Sequence, residues 1–172
     1  MLINISASFQ YASIRAGAEL QPGGAIDDRV SRKITPVAAN SWQGVTGNDQ
    51  FIMYNQGVTP VPIIRNEELL LIRAEAYLGR NGAGDADLAR ADLNTVRRVS
   101  GKLGDLPAGG DLVEAMLKER RYSLLFEGGH RWIDARRYGK QLPIDVFDKE
   151  GQPLHRVHFA YPIPTPEVNA RL

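Results

Sequence analysis

Between residues 119 and 139 the chain crowds Glu119, Arg120, Arg121, Glu127, Arg131, Asp134, Arg136 and Arg137 into one short segment. Two carboxylates, Glu119 and Glu127, could act as a general acid and base. The arginines around them keep a carboxylate ionised, which suits ion pairing and not proton donation. On a helix opened by Asp111, Val113, Leu117, Arg120, Leu124 and Glu127 share one face. Leu112, Met116, Glu119, Ser123 and Phe126 share the next, and Glu114, Lys118 and Arg121 form the solvated stripe, with Glu114 and Lys118 at the favourable i,i+4 order. Glu119, Arg120 and Glu127 are therefore charges on inward faces, and buried charges must be paired. The choice lies between an ion-pair frame that joins helices and a site for chemistry.

The remaining residues that could do chemistry are weaker. His155 and His158 stand three apart in a strand-like stretch, which points them to opposite faces, and no third metal ligand is evident. Asp145, Asp148 and Glu150 before Gly151 lack the spacing of a calcium loop and read as a turn. Gly79, Gly82 and Gly84 lie between helices without the strand that a dinucleotide site needs. No cysteine and no Gly-x-Ser-x-Gly elbow supplies a nucleophile, so nucleophilic catalysis finds little support, and no metal or cofactor is expected. Rings beside amides suit a sugar, which has apolar C–H faces and hydroxyl rims. Trp42 between Ser41 and Gln43 fits, with Phe51, Tyr54 and Asn55 nearby in sequence. The structural alternative is that Trp42 anchors its loop on the helices. Trp132, in a helical stretch, reads as core.

With 172 residues the chain can build one domain with a sizeable core, or part of a larger one. Its 43% hydrophobic and 24% charged residues are those of a globular protein. A formal net charge of +1 gives no electrostatic reason to expect nucleic acid. The absence of cysteine excludes disulfides and lipid attachment to cysteine within this chain. No run approaches the ~18 apolar residues of a membrane span, and residues 1–4 do not read as a signal peptide.

The elements that must position these residues change character at Ile64. Residues 1–63 read as strand and loop that pack on the helices and contribute to a ligand face: a period-2 strand from Ile3 to Tyr11, a turn at residues 21–24, a polar stretch from Asp27, an irregular surface loop over Asn40 to Asn48, and a strand over Phe51 to Tyr54. Residues 64–172 read as helical with a terminal β-hairpin. Asn66 to Arg80 is apolar on most sides and so central. Asp85 caps a second helix running to about Val99. Asp111 opens a third that Gly128-Gly129 ends, and a fourth covers Arg131 to Tyr138. Residues 144–161 read as a β-hairpin, Pro162-Ile163-Pro164 as extended, and Pro166 as the start of a last helical turn. The fold class is mostly α: tetratricopeptide-like helical hairpins with a small β-hairpin and long loops.

Four blocks together resemble one family, the SusD/RagB outer-membrane nutrient-binding proteins. Ile64-Arg65-Asn66-Glu67-Glu68 with Leu71 and Ala74-Glu75-Ala76 is similar to the family's first signature helix. Asn94, Val96 and Arg97 resemble the next. Glu119-Arg120-Arg121, Phe126-Glu127-Gly128, Arg131, Asp134, Arg137 and Gly139 resemble the longest signature, and Pro162-Ile163-Pro164 with Glu167 the closing one. Asp27-Asp28-Arg29 looks like an Asp-Pro-Arg segment with Asp in the proline's place. Ser123 stands where the pattern has a carboxylate, Val99 where a second arginine is usual, and Gly128-Gly129-His130 is one residue longer than usual.

The resemblance implies a SusD-like α–α superhelix and a C-terminal portion of a longer protein, intact as a surface-exposed outer-membrane lipoprotein whose lipid anchor is absent from this chain. It implies a non-enzymatic protein that binds glycan, oligosaccharide or peptide nutrients and works with a TonB-dependent, SusC-like β-barrel transporter. A peptide-binding helical-repeat scaffold is the alternative from the helix pattern alone, and a glycoside hydrolase using Glu119 and Glu127 the enzymatic one. On the leading reading, Arg65, Glu68, Glu75, Arg97, Glu119, Arg120, Glu127, Arg131, Asp134 and Arg137 form a structural ion-pair lattice, and Trp42, Phe51, Tyr54 and Asn55 contact ligand.

Overall fold

Lys33 ends one helix and caps another, and much of the local architecture follows from that. The computed structural model describes residues 14–42, 45–54, 56–140 and 165–169, and of residues 40–42, 45–47 and 168 the backbone alone. The expected strand at Ile3–Tyr11, the β-hairpin at 144–161 and the Pro162–Pro164 segment lie outside these residues. After a helical turn at residues 14–16 comes helix α1, Asp28–Lys33, opened by the Asp27 carboxylate, which accepts the Arg29 N–H at 2.9 Å. Strands β1, Ile34–Trp42, and β2, Val45–Phe51, follow as an antiparallel pair. Their register runs from Ile34 opposite Phe51 at the base to Trp42 opposite Val45 at the tip, with an irregularity between Pro36 and Asn40.

This hairpin corrects the expectation of a surface loop over Asn40 to Asn48 and of a strand over Phe51 to Tyr54. Val37 and residues 38 and 39 are exposed in succession, so this part of β1 lacks the half-buried face that gives a period-2 signal. Its base is anchored: Ile34 joins Ile14, Val30 and Tyr122 in a buried cluster, with Ile26, Phe51 and Leu125 against it. The Arg15 guanidinium also holds Asp49 of β2.

Helix α2 spans Asn66–Arg80 and closes on Asn81, in a left-handed conformation, whose N–H reaches Tyr77 O. It buries Leu71 and Ala74, while Leu69 and Ile72 stay about half exposed. The helix thus buries one side among the described residues, where burial on most sides was expected. Helix α3, Asp85–Val96, starts after Gly84 at φ 81. Asp85 is the first helical residue and not the cap; its carboxylate turns back to the Gly82 N–H at 2.7 Å and Arg80 Nε at 2.8 Å. The helix widens at Val96 into a π-helical turn, Arg97–Gly101, where a continuous helix to Val99 was expected.

Helix α4, Leu112–Ser123, begins as its sequence indicates, with Asp111 accepting from the N–H groups of Val113 and Glu114. It ends at Ser123, four residues before the expected Glu127. In a continued helix the Glu127 N–H would donate to the Ser123 carbonyl. Instead Lys33 Nζ, brought in by α1, donates to that carbonyl, and the Glu127 N–H turns to Leu124 O at 3.1 Å. Phe126, Gly128 and Gly129 all take positive φ on the way to helix α5, His130–Arg137. Helix α6 is short, Thr165–Asn169, with Pro166 in its first turn.

The chain divides into two compact units, residues 1–131 and 132–172. In the first, α3 and α4 pack on α2, while α1 meets α4 and the π-turn. In the second, Ala135 and Asp134 are buried, and Trp132 is half-buried under the Arg136 guanidinium, 4.5 Å from its centroid, rather than core. The fold is mostly α with one two-stranded sheet among the described residues.

Candidate functional site

Glu119 is 1% exposed and has both oxygens on guanidinium groups. Oε2 accepts from Arg29 Nη1 at 2.6 Å and Oε1 from Arg97 Nη1 at 2.8 Å. Arg29 also holds Asp27 through Nη2 at 2.6 Å, donates to Ser123 Oγ at 3.1 Å, and lies over the Tyr122 ring. Burial opposes its charge, but Asp27 and Glu119 outweigh burial and raise its pKa. Arg97 spreads its donors over Glu119, Glu19 at 2.6 Å and the Gly104 carbonyl at 2.8 Å. The Arg97 hydrogen bond is the largest influence on Glu19, lowering its carboxyl to about 2, with Lys118 assisting at 2.7 Å. Arg120 crosses to α2 and binds Glu75 Oε2 at 2.6 Å.

A second group surrounds Glu127. Arg65 Nε donates to Oε2 at 2.7 Å. Oε1 is buried 3.5 Å from Lys33 Nζ, close enough for charge pairing but long for a hydrogen bond. Burial pushes Lys33 down to about 8 against the attraction of Glu127 and Glu67. Arg65 Nη2 reaches Tyr54 OH at 3.4 Å, and His130 Nε2 lies 3.5 Å from Glu68. Beside this group the Phe51 ring stacks on Phe126, centroids 4.9 Å apart at 26°, and meets Tyr54 at 5.7 Å and 57°.

General acid–base work requires a carboxyl that a substrate can reach and that can exchange its proton. Glu119 has neither the access nor a spare oxygen. Of the other residues the sequence singled out for the lattice, Arg65, Glu68, Glu75, Arg97, Arg120 and Glu127 stand in the contacts above. Arg131 Nε is buried with no hydrogen-bond partner among the described residues, and Arg131 lies near Arg121, whose pKa burial lowers first and Arg131 lowers further. Arg121 is half-buried rather than on a solvated stripe. In the second unit, Asp134 is buried and Arg137 lies 5.6 Å over Tyr138.

The residues singled out for ligand are not gathered in one loop. Phe51 and Tyr54 meet at the hairpin base, whereas Trp42 closes β1 at the tip, about 20 Å away by strand rise. The Trp42 side chain and Asn55 lie outside the described residues. Sequence reasoning missed Asp27, Arg29, Lys33 and Glu19 as members of the charge frame. A signal was present: Arg29, Val30 and Lys33 fall at i, i+1 and i+4, one face of a short helix, and all three are buried.

Among the described residues no group of three or more His, Cys, Asp or Glu is arranged to hold a metal ion, and no helix is long and apolar enough to cross a membrane. Neither curated proteins nor solved structures give a match to the chain. The family model described as the SusD family matches residues 31–158, well over half of the chain. That span runs from the end of α1 through the hairpin, Arg97, Glu119 and the α4–α5 segment, and leaves Glu19, Asp27 and Arg29 of the frame outside it. The chain therefore belongs to the SusD family, whose members bind nutrients, glycans among them, for uptake at the outer membrane.

Proposed function

We propose that the chain serves a non-enzymatic nutrient-binding protein, with glycan as its ligand class, that passes its ligand to a TonB-dependent, SusC-like β-barrel transporter. In this reading the protein is a surface-exposed lipoprotein, and helix pairs such as α2–α3 stack as tetratricopeptide-like hairpins. Residues 1–63 pack on the helical part formed by residues 64–172 and contribute to the ligand face. The observation that carries the reading is the clamped Glu119. Within a SusD-family chain, the carboxylate best placed by sequence for catalysis is committed to two buried arginines. The charge frame then holds the fold, and Trp42, Phe51, Tyr54 and Asn55 are the residues left to meet a ligand.

Calorimetry of the intact protein against a panel of neutral and acidic oligosaccharides tests this. The expected result is saturable binding of at least one sugar, recovered chemically unchanged after prolonged incubation. Absence of binding across the panel, or recovery of hydrolysed sugar, would contradict it.

A further inference from the structure

Charge is missing from the stretch that carries the residues proposed to meet a ligand. Charged residues make up 24% of the chain, yet between Lys33 and Arg65 there is one, Asp49. The stretch comprises both strands of the hairpin and the segment leading to α2, and it holds Trp42, Phe51, Tyr54 and Asn55. Asp49 lends it no net charge, because it is 2% exposed and paired with the Arg15 guanidinium. The residues at its two ends are committed as well. Lys33 is buried, donates to the Ser123 carbonyl and faces Glu127, and Arg65 is paired with the same Glu127.

The polar groups of the stretch are of another kind. Asn40, Gln43, Asn48, Gln50, Asn55 and Gln56 are all amides. An amide both donates and accepts, as a sugar hydroxyl does. A carboxylate or sulfate only accepts, and its strong partners are cationic donors such as arginine. An anionic sugar brought against this stretch would lose hydration and find no uncommitted cation within it. The formal net charge of +1 adds no long-range attraction.

We propose that the stretch from Ile34 to Ile64 selects neutral oligosaccharides and disfavours acidic ones, because it offers amides without charge. The inference rests on the glycan-binding reading and deepens it by naming the substrate class. Selection of this kind works against the wrong ligand as much as for the right one. The Arg15–Asp49 pair is part of it: each cancels a charge that the other would leave on the hairpin.

The test is calorimetry of the intact protein against neutral glucan, galactan and mannan oligosaccharides. Each is compared with the same sugar after oxidation of its primary alcohols to carboxylates, so that linkages and rings are shared within a pair. The expected result is binding of a neutral member, with its oxidised counterpart about tenfold weaker or more. Asp49→Asn keeps the shape of the side chain and leaves Arg15 without its carboxylate. In that variant the gap is expected to narrow by about threefold or more, with thermal unfolding reporting that it is folded. Oxidised sugars binding as tightly as neutral ones, or alone, would overturn the inference and leave the glycan reading standing. An unchanged gap in folded Asp49→Asn would also overturn it, since charge would not then set the preference. Failure of the unmodified protein to bind either member of any pair would overturn both.

Discussion

At the scale of single residues, the molecule separates charges that hold from charges that are merely tolerated. Arg29 and Arg97 are buried, yet their pKa values are raised, because the carboxylates around them outweigh desolvation. Lys33 is the opposite case. It caps α4 and faces Glu127, with Arg65 as a like charge nearby, but burial dominates and sets it at about 8 against an ordinary 10.5. Between those values the unfolded chain keeps a proton that the folded chain has shed, so raising the pH favours folding. The full window corresponds to about 3 kcal/mol. Urea unfolding at pH 7, 8, 9 and 10 is expected to show this rise in the unmodified protein and not in Lys33→Met. The same slope in both proteins would remove Lys33 as its source. Tyr122, pushed up to about 12 by burial, acts in the opposite sense only above pH ~10.

At the scale of elements, the contacts that bind α1 to the helices are tight enough to be felt by one methyl group. A Cβ on Gly101, in the π-turn, would stand 3.0 Å from Leu103 Cγ and 3.1 Å from Arg29 Nη2. Arg29 cannot yield, because Asp27 and Glu119 fix it. Gly101→Ala is therefore expected to lower the unfolding free energy by roughly 1–3 kcal/mol. Gly104→Ala, where nothing lies within 4 Å, is expected to leave it within about 0.5 kcal/mol. Equal stability of the two variants would show that the π-turn accommodates the methyl group.

The same elements explain what could be read from the chain. The bounds of α2 and the start of α4 were legible because local chemistry sets them: apolar spacing in one, the Asp111 cap in the other. The end of α4 was not, since its last carbonyl is taken by Lys33, distant in sequence. The hairpin was illegible because residues 36–39 are exposed in succession and give no alternation. Glu119 was recognisable as a buried charge from its helix face. Its partner Arg29, 90 positions away, was visible as part of a polar stretch that resembles an Asp-Pro-Arg segment, with nothing to link it to Glu119.

At the scale of the whole molecule, the proposed function assigns the densest charge in the sequence to holding the fold, and recognition to residues outside that frame. The SusD-family match spans Glu119, Arg97 and the hairpin that carries Phe51, and begins two residues after Arg29. Arg120 tests the division of labour most directly. It is 5% exposed, joins α4 to α2 through Glu75, and is distinct from the residues proposed to meet sugar. Removing one member of such a buried pair costs about 3–5 kcal/mol. The decisive measurement is the melting temperature and the oligosaccharide affinity of the same Arg120→Ala protein, with affinity taken well below its melting point. The account predicts a lower melting temperature with affinity unchanged; an unchanged melting temperature with lost affinity would contradict it.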